Sequence, residues 1–399
     1  MAAATVTVEA AFGSNPLASS LTWSPITPYV RSLSYQRGRQ EILNEMQAGT
    51  GSAVLADASS RFDPTNTTSP YYPNVIPITP IRARATVSGV TYDLMQQHVE
   101  RWPQSLRVAS WYTERSLTTS DGFKALAAGG LAGKSYPQQL SGARVGAVLD
   151  DIGWPAGRRA IDAGYATMPA IAFGENDEVG ALSHLQDVIE HGEVGLGFID
   201  ARGYFTFISR HALIVSPYTT SQLTVADSVD RGPNVYQDAT PDYGDDQITN
   251  DWRASRDGGV VQRAFNQTSI DKYFRRTKQV TVLSTNDAEV LGHAQFRLYQ
   301  FKDPLQRVAS LTIMPAESTT LWASVCQLEI GERITVRDKP PGFSSQTSTD
   351  YVIQGMSVSL PVGPVSAAKF TYSLWPADNT AWFIFGTATG KWDVGKLGY

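Results

Sequence analysis

The sequence predicts a mainly β protein with α+β parts, and three observations carry that assignment. Short alternating or β-rich segments separated by turn residues run from Thr22 to Trp102 and again from Val308 to Trp375. Helical spacing of apolar residues is confined to the middle of the chain. With 399 residues the chain is too long for one ordinary core, so about two to four domains are expected.

In the first β region, Tyr29 to Ser34 and Ser52 to Leu55 read as strands, and Arg37 to Gly49 between them reads as a protruding loop or single helical turn. Pro64, Pro70, Pro73, Pro77 and Pro80 forbid helix and central strand from Asp63 to Pro80, leaving an extended loop on the surface. Ile81 to Val87, the turn Ser88-Gly89 and Val90 to Val99 form a hairpin.

In the middle, Val145, Val148, Leu149 and Ile152 mark a helix stopped at Gly153. Asn176 or Asp177 is placed to cap a second, running to His191 and ended by Gly192. Leu196 to Asp200 and Tyr204 to Phe207 make a hairpin, and Asp238 to Asp251 an acidic, turn-rich loop. Gln279 to Leu283 is a strand. Asn286 with Glu289 forms a capping box opening a helix to Phe301. Ile81 to Arg84 with Tyr92 to Val99 is echoed by Ile334 to Arg337 with Tyr351 to Val358, a weak sign of two related β units.

Composition excludes several functions. Lys plus Arg total 33 against 38 Asp plus Glu, a net charge of -5 without the basic footprint of a dedicated nucleic-acid binder. The single Cys326 rules out an intrachain disulfide and a multi-cysteine zinc site, and reads as a small buried hydrophobe. No apolar run reaches membrane-spanning length, so no membrane insertion is expected, and the start shows no secretory signal. The chemistry-bearing motifs are missing too: no nucleophile elbow, phosphate loop, dinucleotide fingerprint or metalloprotease helix. His184 and His191, seven apart, read as a solvated pair, and the Asp238 to Asp251 carboxylates as a solvated loop. No catalytic residue, cofactor or metal is expected. Trp102, Trp111, Tyr112, Trp154, Trp322, Trp375, Trp382 and Trp392 are numerous, and at loop tips they would anchor protein interfaces.

An ordered set of segments carries a family resemblance over roughly a fifth of the chain: Ser32-Leu33-Ser34-Tyr35-Gln36-Arg37-Gly38-Arg39, Met46 to Thr50, Val54-Leu55-Ala56-Asp57, Arg61 to Asn66, Ser69 to Asn74, and Pro80 to Arg84. It resembles the N-terminal signature of minor tail proteins of siphophages, especially those infecting actinobacteria. Glu190 to Arg210 is similar to the helix and hairpin of the second domain of tail hub proteins, and Gly331 to Val336 with Tyr351 to Leu360 to their second barrel. Where members often carry an Asn-Arg-type turn, this chain has Ala58-Ser59-Ser60.

The resemblance implies a baseplate-hub-like fold: two tail-tube-like β-barrels plus smaller α/β domains, three chains forming a ring whose six barrels match a sixfold tube. The implied divisions are 1–106 for the first barrel, 107–215 for an α/β domain, 216–307 for a mixed segment, 308–375 for the second barrel and 376–399 for an extension. The implied role is a structural virion protein of the tail tip, assembled in the host cytoplasm. Its partners would be a homotrimer of itself, a distal tail or tail tube protein, other tip proteins, the tape measure protein, and DNA passing without specific binding. Cell-wall degradation is expected to lie in other proteins. A hexameric distal tail ring is the alternative, with a tip hydrolase a distant third. The candidate subunit-interface residues are Arg37, Gly38 and Arg39 in the first loop and Phe62, Asp63, Pro64, Tyr71, Tyr72 and Pro73 in the Pro-rich stretch. The same residues would equally brace the first barrel, and changing Arg37 and Arg39 to Glu is expected to separate the two readings.

Overall fold

A computed structural model describes residues 4–103, 114–316, 318–361 and 367–377. Both β-rich regions enter one 13-stranded sheet. From one edge the strands are Asp238–Asp242, Arg307–Ile313, Lys369–Pro376, Thr347–Pro361, Val30–Gly38, Gln47–Ala56, Glu114–Ser120, Val90–Arg101, Thr79–Val87, Thr5–Ala10 and Ser24–Pro25. Arg333–Asp338 and its parallel neighbour Ser221–Ala226 branch from the first half of Thr347–Pro361.

The mainly β class holds, and among the described residues both β regions join in this single sheet, in which no closed barrel is found. The cause is the 15-residue strand Thr347–Pro361. Its first half pairs with Arg333–Asp338 on one edge, and its second half turns the same edge to Val30–Gly38 through Gly355↔Gly38 to Pro361↔Ser32. Gly38 makes this seam possible. Its φ is +81°, and a Cβ there would lie 2.4 Å from the Gln354 carbonyl oxygen.

The hairpin Thr79–Val87/Val90–Arg101 turns through Ser88 and Gly89, both at positive φ, as a two-residue turn matched to strand twist requires. The internal echo forms two hairpins but not one register. Ile81 faces Gln97, whereas Ile334 faces Tyr351, because the second connection is longer.

In the middle, the helix Ser141–Asp151 buries Val145, Val148 and Leu149. The helix expected from Asn176 begins instead at Ala181, because the Asp177 carboxylate accepts from the Gly174 N–H at 2.6 Å and closes a separate turn. It continues through a wide turn over Asp187–Glu193 and stops at Val194, held at φ 61°. Asp287–Phe301 matches its sequence signature, with the Asn286 side chain accepting from Glu289 N at 2.8 Å. Thr319–Gln327 is a helix where strand was expected, capped by Ser318 and burying Leu321, Trp322 and Val325.

One core runs under the sheet and the middle segment, and a smaller one gathers Trp252, Phe301 and Trp375. Trp102, Trp154, Trp322 and Trp375 are buried rather than at loop tips. Trp111, Tyr112, Trp382 and Trp392 lie outside the described residues. The Arg37 to Gly49 segment does not protrude: Arg39, Ile42 and Met46 are buried. The acidic stretch is not one loop either. Asp238–Asp242 is an edge strand, where Pro241 is tolerated, and Asp251 is fully buried.

Candidate functional site

Arg37 leaves the strand Val30–Gly38 into the junction of both β regions and the central hairpin. Its Nη1 donates to Glu329 Oε1 at 2.9 Å and to the Ile199 carbonyl at 3.1 Å, and its Nη2 contacts Met356 Sδ at 3.0 Å. Arg39 donates from Nε and Nη2 to Gln354 Oε1 at 3.0 and 2.8 Å, and faces Glu190 at 3.6 Å. Both guanidinium groups are buried, so these contacts join distant parts of one chain. Charge reversal at Arg37 and Arg39 therefore acts on folding before it can report on assembly.

The Pro-rich stretch divides in two. Phe62 is fully buried in an aromatic stack with Tyr71 at 5.4 Å and Trp102 at 5.8 Å between ring centroids. Asp63 meets Arg115 Nη2 at 3.2 Å, and Arg115 Nε meets the buried Asp57 at 2.5 Å, so the aspartates of two signature segments share one guanidinium. Pro64 is half-buried beside them. Tyr72 and Pro73, by contrast, are exposed, Tyr72 to 45%. Glu329, Gln354, Glu190 and Arg115 were not singled out from the sequence. Each lies far along the chain from its partner, and local spacing carries no trace of such pairs.

The large sheet also presents an unusual outer face. Directly opposed residues form a row, Asp238, Thr312, Thr371, Ser357, Gln36 and Thr50, that crosses six strands from both β regions; Ser120, opposite Thr50 on a seventh strand, is buried. A second row holds Lys369, Ser359, Ser34, Ser52 and Thr118. The row between them, Phe370, Val358 and Tyr35, points into the core. Neighbours on the outer face bond to each other: Ser34 Oγ to Ser52 Oγ at 2.9 Å, Gln36 Nε2 to Thr50 Oγ1 at 3.0 Å, Thr312 Oγ1 to Thr371 Oγ1 at 2.9 Å. These cross-strand hydroxyl ladders hold register, and leave charge only at Asp238 and Lys369.

Among the described residues no group of three or more His, Cys, Asp or Glu side chains is arranged to hold a metal ion. His184 packs flat on Tyr136 at 5.9 Å, and burial pushes its pKa down to about 4; burial pushes the Cys326 thiol up to about 12. A cleft of about 330 Å³ near Trp252 sets Arg39, Lys278 and Arg297 against Glu45, Asp187 and Glu190, a balance that favours neither sign of ligand. No helix among the described residues is long and apolar enough to cross a membrane.

No protein-family profile matches the chain, and no curated protein matches it in sequence. Solved structures do. A tail protein from Neisseria meningitidis aligns over 94% of this chain and 97% of its own, at 10% identity and a TM-score of 0.58. The fold is that of a tail protein. The 43 kDa tail protein of prophage MuSo2 from Shewanella oneidensis aligns over 93% of this chain and 98% of its own, at 12% identity and a TM-score of 0.57. A chain of the Francisella PdpA–VgrG complex aligns over 94% of this chain but 58% of its own, at 10% identity and a TM-score of 0.50. The tail-protein match thus extends over both β regions and the α/β middle together.

Proposed function

We propose that this chain is a structural virion protein of a long, non-contractile phage tail, three copies of which form the hub at the tail tip. In this reading the ring joins the hexameric tail tube, directly or through a distal tail protein, to the other tip proteins, and encloses the channel taken by the tape measure and the DNA. The observation that carries it is the six-strand outer face of Ser, Thr and Gln. A wall of hydroxyls and amides whose two rows carry one cation, Lys369, and one anion, Asp238, wets well and offers phosphates little to bind, so DNA in contact with it is only weakly retained. The continuous tail-protein fold, with both β regions in one sheet, supports the same reading. Assembly in the host cytoplasm suits a chain with one free cysteine.

Lysine at Ser34, Ser52 and Ser359 tests the channel. The side chains face outward, so the protein is expected to fold and assemble, while particles carrying it eject DNA more slowly and with stronger salt dependence. Unchanged ejection, with these positions mapped to the outside of the assembled tail, would remove the channel reading.

A further inference from the structure

The small sheet of Asp251–Ser255, Gln262–Phe265 and Thr277–Thr281 carries a feature that the channel does not use. After the helix Gln267–Tyr273, Phe274 sits at φ 62° and ψ 163°, a conformation natural to glycine, with its ring 82% exposed. Buried Asn250 enforces this: Nδ2 donates to the Phe274 carbonyl at 2.8 Å and to Ser269 Oγ at 3.1 Å, and Oδ1 accepts from Arg276 N at 2.9 Å. The molecule thus holds a strained backbone rigidly in order to present an aromatic ring to solvent.

Arg275 follows Phe274 in the chain, the same small sheet carries Phe265, also exposed, and three arginines approach one buried carboxylate. Arg263 binds Asp251 through two bonds of 2.6 and 2.9 Å and lies over the Phe265 ring at 4.5 Å; Arg275 and Arg253 reach Asp251 only at 3.7 and 4.0 Å. One carboxylate cannot neutralise three guanidinium groups, so the patch keeps a positive charge beside its exposed rings, the composition of an interface hot spot. Elsewhere the chain exposes the complement. Glu175, Asp177 and Glu178 lie on one exposed loop.

We propose that the Phe274 turn, with Arg253, Arg263 and Arg275, docks on the acidic loop 175–178 of a second copy of this chain. The inference rests on the trimeric reading above. Patch and loop are different surfaces, so the contact is head-to-tail, the kind that closes into a ring of three when each copy is turned by a third of a circle from the last. A second copy fits better than nucleic acid, because the chain is acidic overall and exposes its own carboxylate loop.

The test is light scattering of the full chain across a concentration series. Phe274→Gly relieves the backbone while deleting the anchor, so its thermal midpoint is expected to be at least that of wild type, while half-assembly moves to a roughly tenfold or higher concentration. Glu175→Lys, Asp177→Lys and Glu178→Lys together are expected to act alike, and adding Arg253→Glu with Arg275→Glu to recover assembly. Trimers unaffected by Phe274→Gly or by loop reversal would overturn the docking and leave the trimer standing. Failure of the double reversal to recover assembly would overturn the acidic loop as occupant. A wild-type chain monomeric at every concentration would overturn both readings. Binding of a DNA duplex that Phe274→Gly abolishes, with assembly unchanged, would hand the patch to nucleic acid instead.

Discussion

Arg37 and Glu329 are 292 positions apart in the chain and 2.9 Å apart in space. Glu329 also accepts from Ala201 N at 3.1 Å, so one carboxylate ties the first β region to the central hairpin and the second β region. Arg37→Met is expected to cost about 3–5 kcal/mol in urea unfolding, since it leaves the carboxylate without its buried partner. Glu329→Gln keeps an acceptor and is expected to cost less. The double variant should cost less than the sum by about 1–3 kcal/mol, the mark of direct coupling.

Gly38→Ala strikes the seam itself. The added methyl meets the Gln354 carbonyl at 2.4 Å and the Gly355 Cα at 2.7 Å, both backbone atoms that cannot step aside. With positive φ as well, the expected loss is about 2 kcal/mol or more, read as a fall in the denaturation midpoint.

Phe62 and Tyr72 separate bracing from contact. Phe62→Ala empties a fully buried aromatic stack and is expected to cost about 3–5 kcal/mol, with a change in tryptophan emission as Trp102 loses its stacked neighbour. Tyr72→Ala is expected to leave monomer stability within about 0.5 kcal/mol. A loss of assembly in Tyr72→Ala with intact folding would place the exposed end of the Pro-rich stretch in a subunit contact.

Glu332 sets a pH dependence. Burial pushes its carboxyl up to about 7, with the charge of Glu329 adding to the effect. The folded chain therefore holds this proton to higher pH than the unfolded chain. The stability it contributes is complete below the unfolded value and is lost as pH rises through about 7. Glu332→Gln, compared with wild type by thermal unfolding from about pH 4 to pH 8, should flatten this alkaline-side loss. His98 and His184, pushed down to about 4 by burial, act in the opposite sense, their contribution falling as pH drops from about 6.5.

What the sequence revealed follows the range of the forces involved. The Asn286 cap, the Ser88-Gly89 turn and the helix ending near Gly153 depend on a few adjacent residues, and all are found as read. The helix Thr319–Gln327 was hidden because Leu321, Trp322 and Val325 sit among β-favouring neighbours, with only Ser318 to announce it. The joining of both β regions depends on Gly355 meeting Gly38 across the chain, and no local period encodes that pairing. The candidate residues fared alike. Signature segments pointed to Arg37, Arg39 and Phe62, but which partner each one holds is decided by Glu329, Gln354 and Trp102, far away in sequence. The polar outer face was legible only as scattered Ser and Thr until register brought them into rows.

The central claim is a ring of three, and native mass spectrometry of the purified chain across a concentration series tests it most directly. Three copies of the 43.4 kDa chain give a species of about 130 kDa, growing with concentration at the expense of monomer. A closed species of about 260 kDa, six copies of 43.4 kDa, would contradict the trimeric hub and assign the chain to a hexameric ring above it.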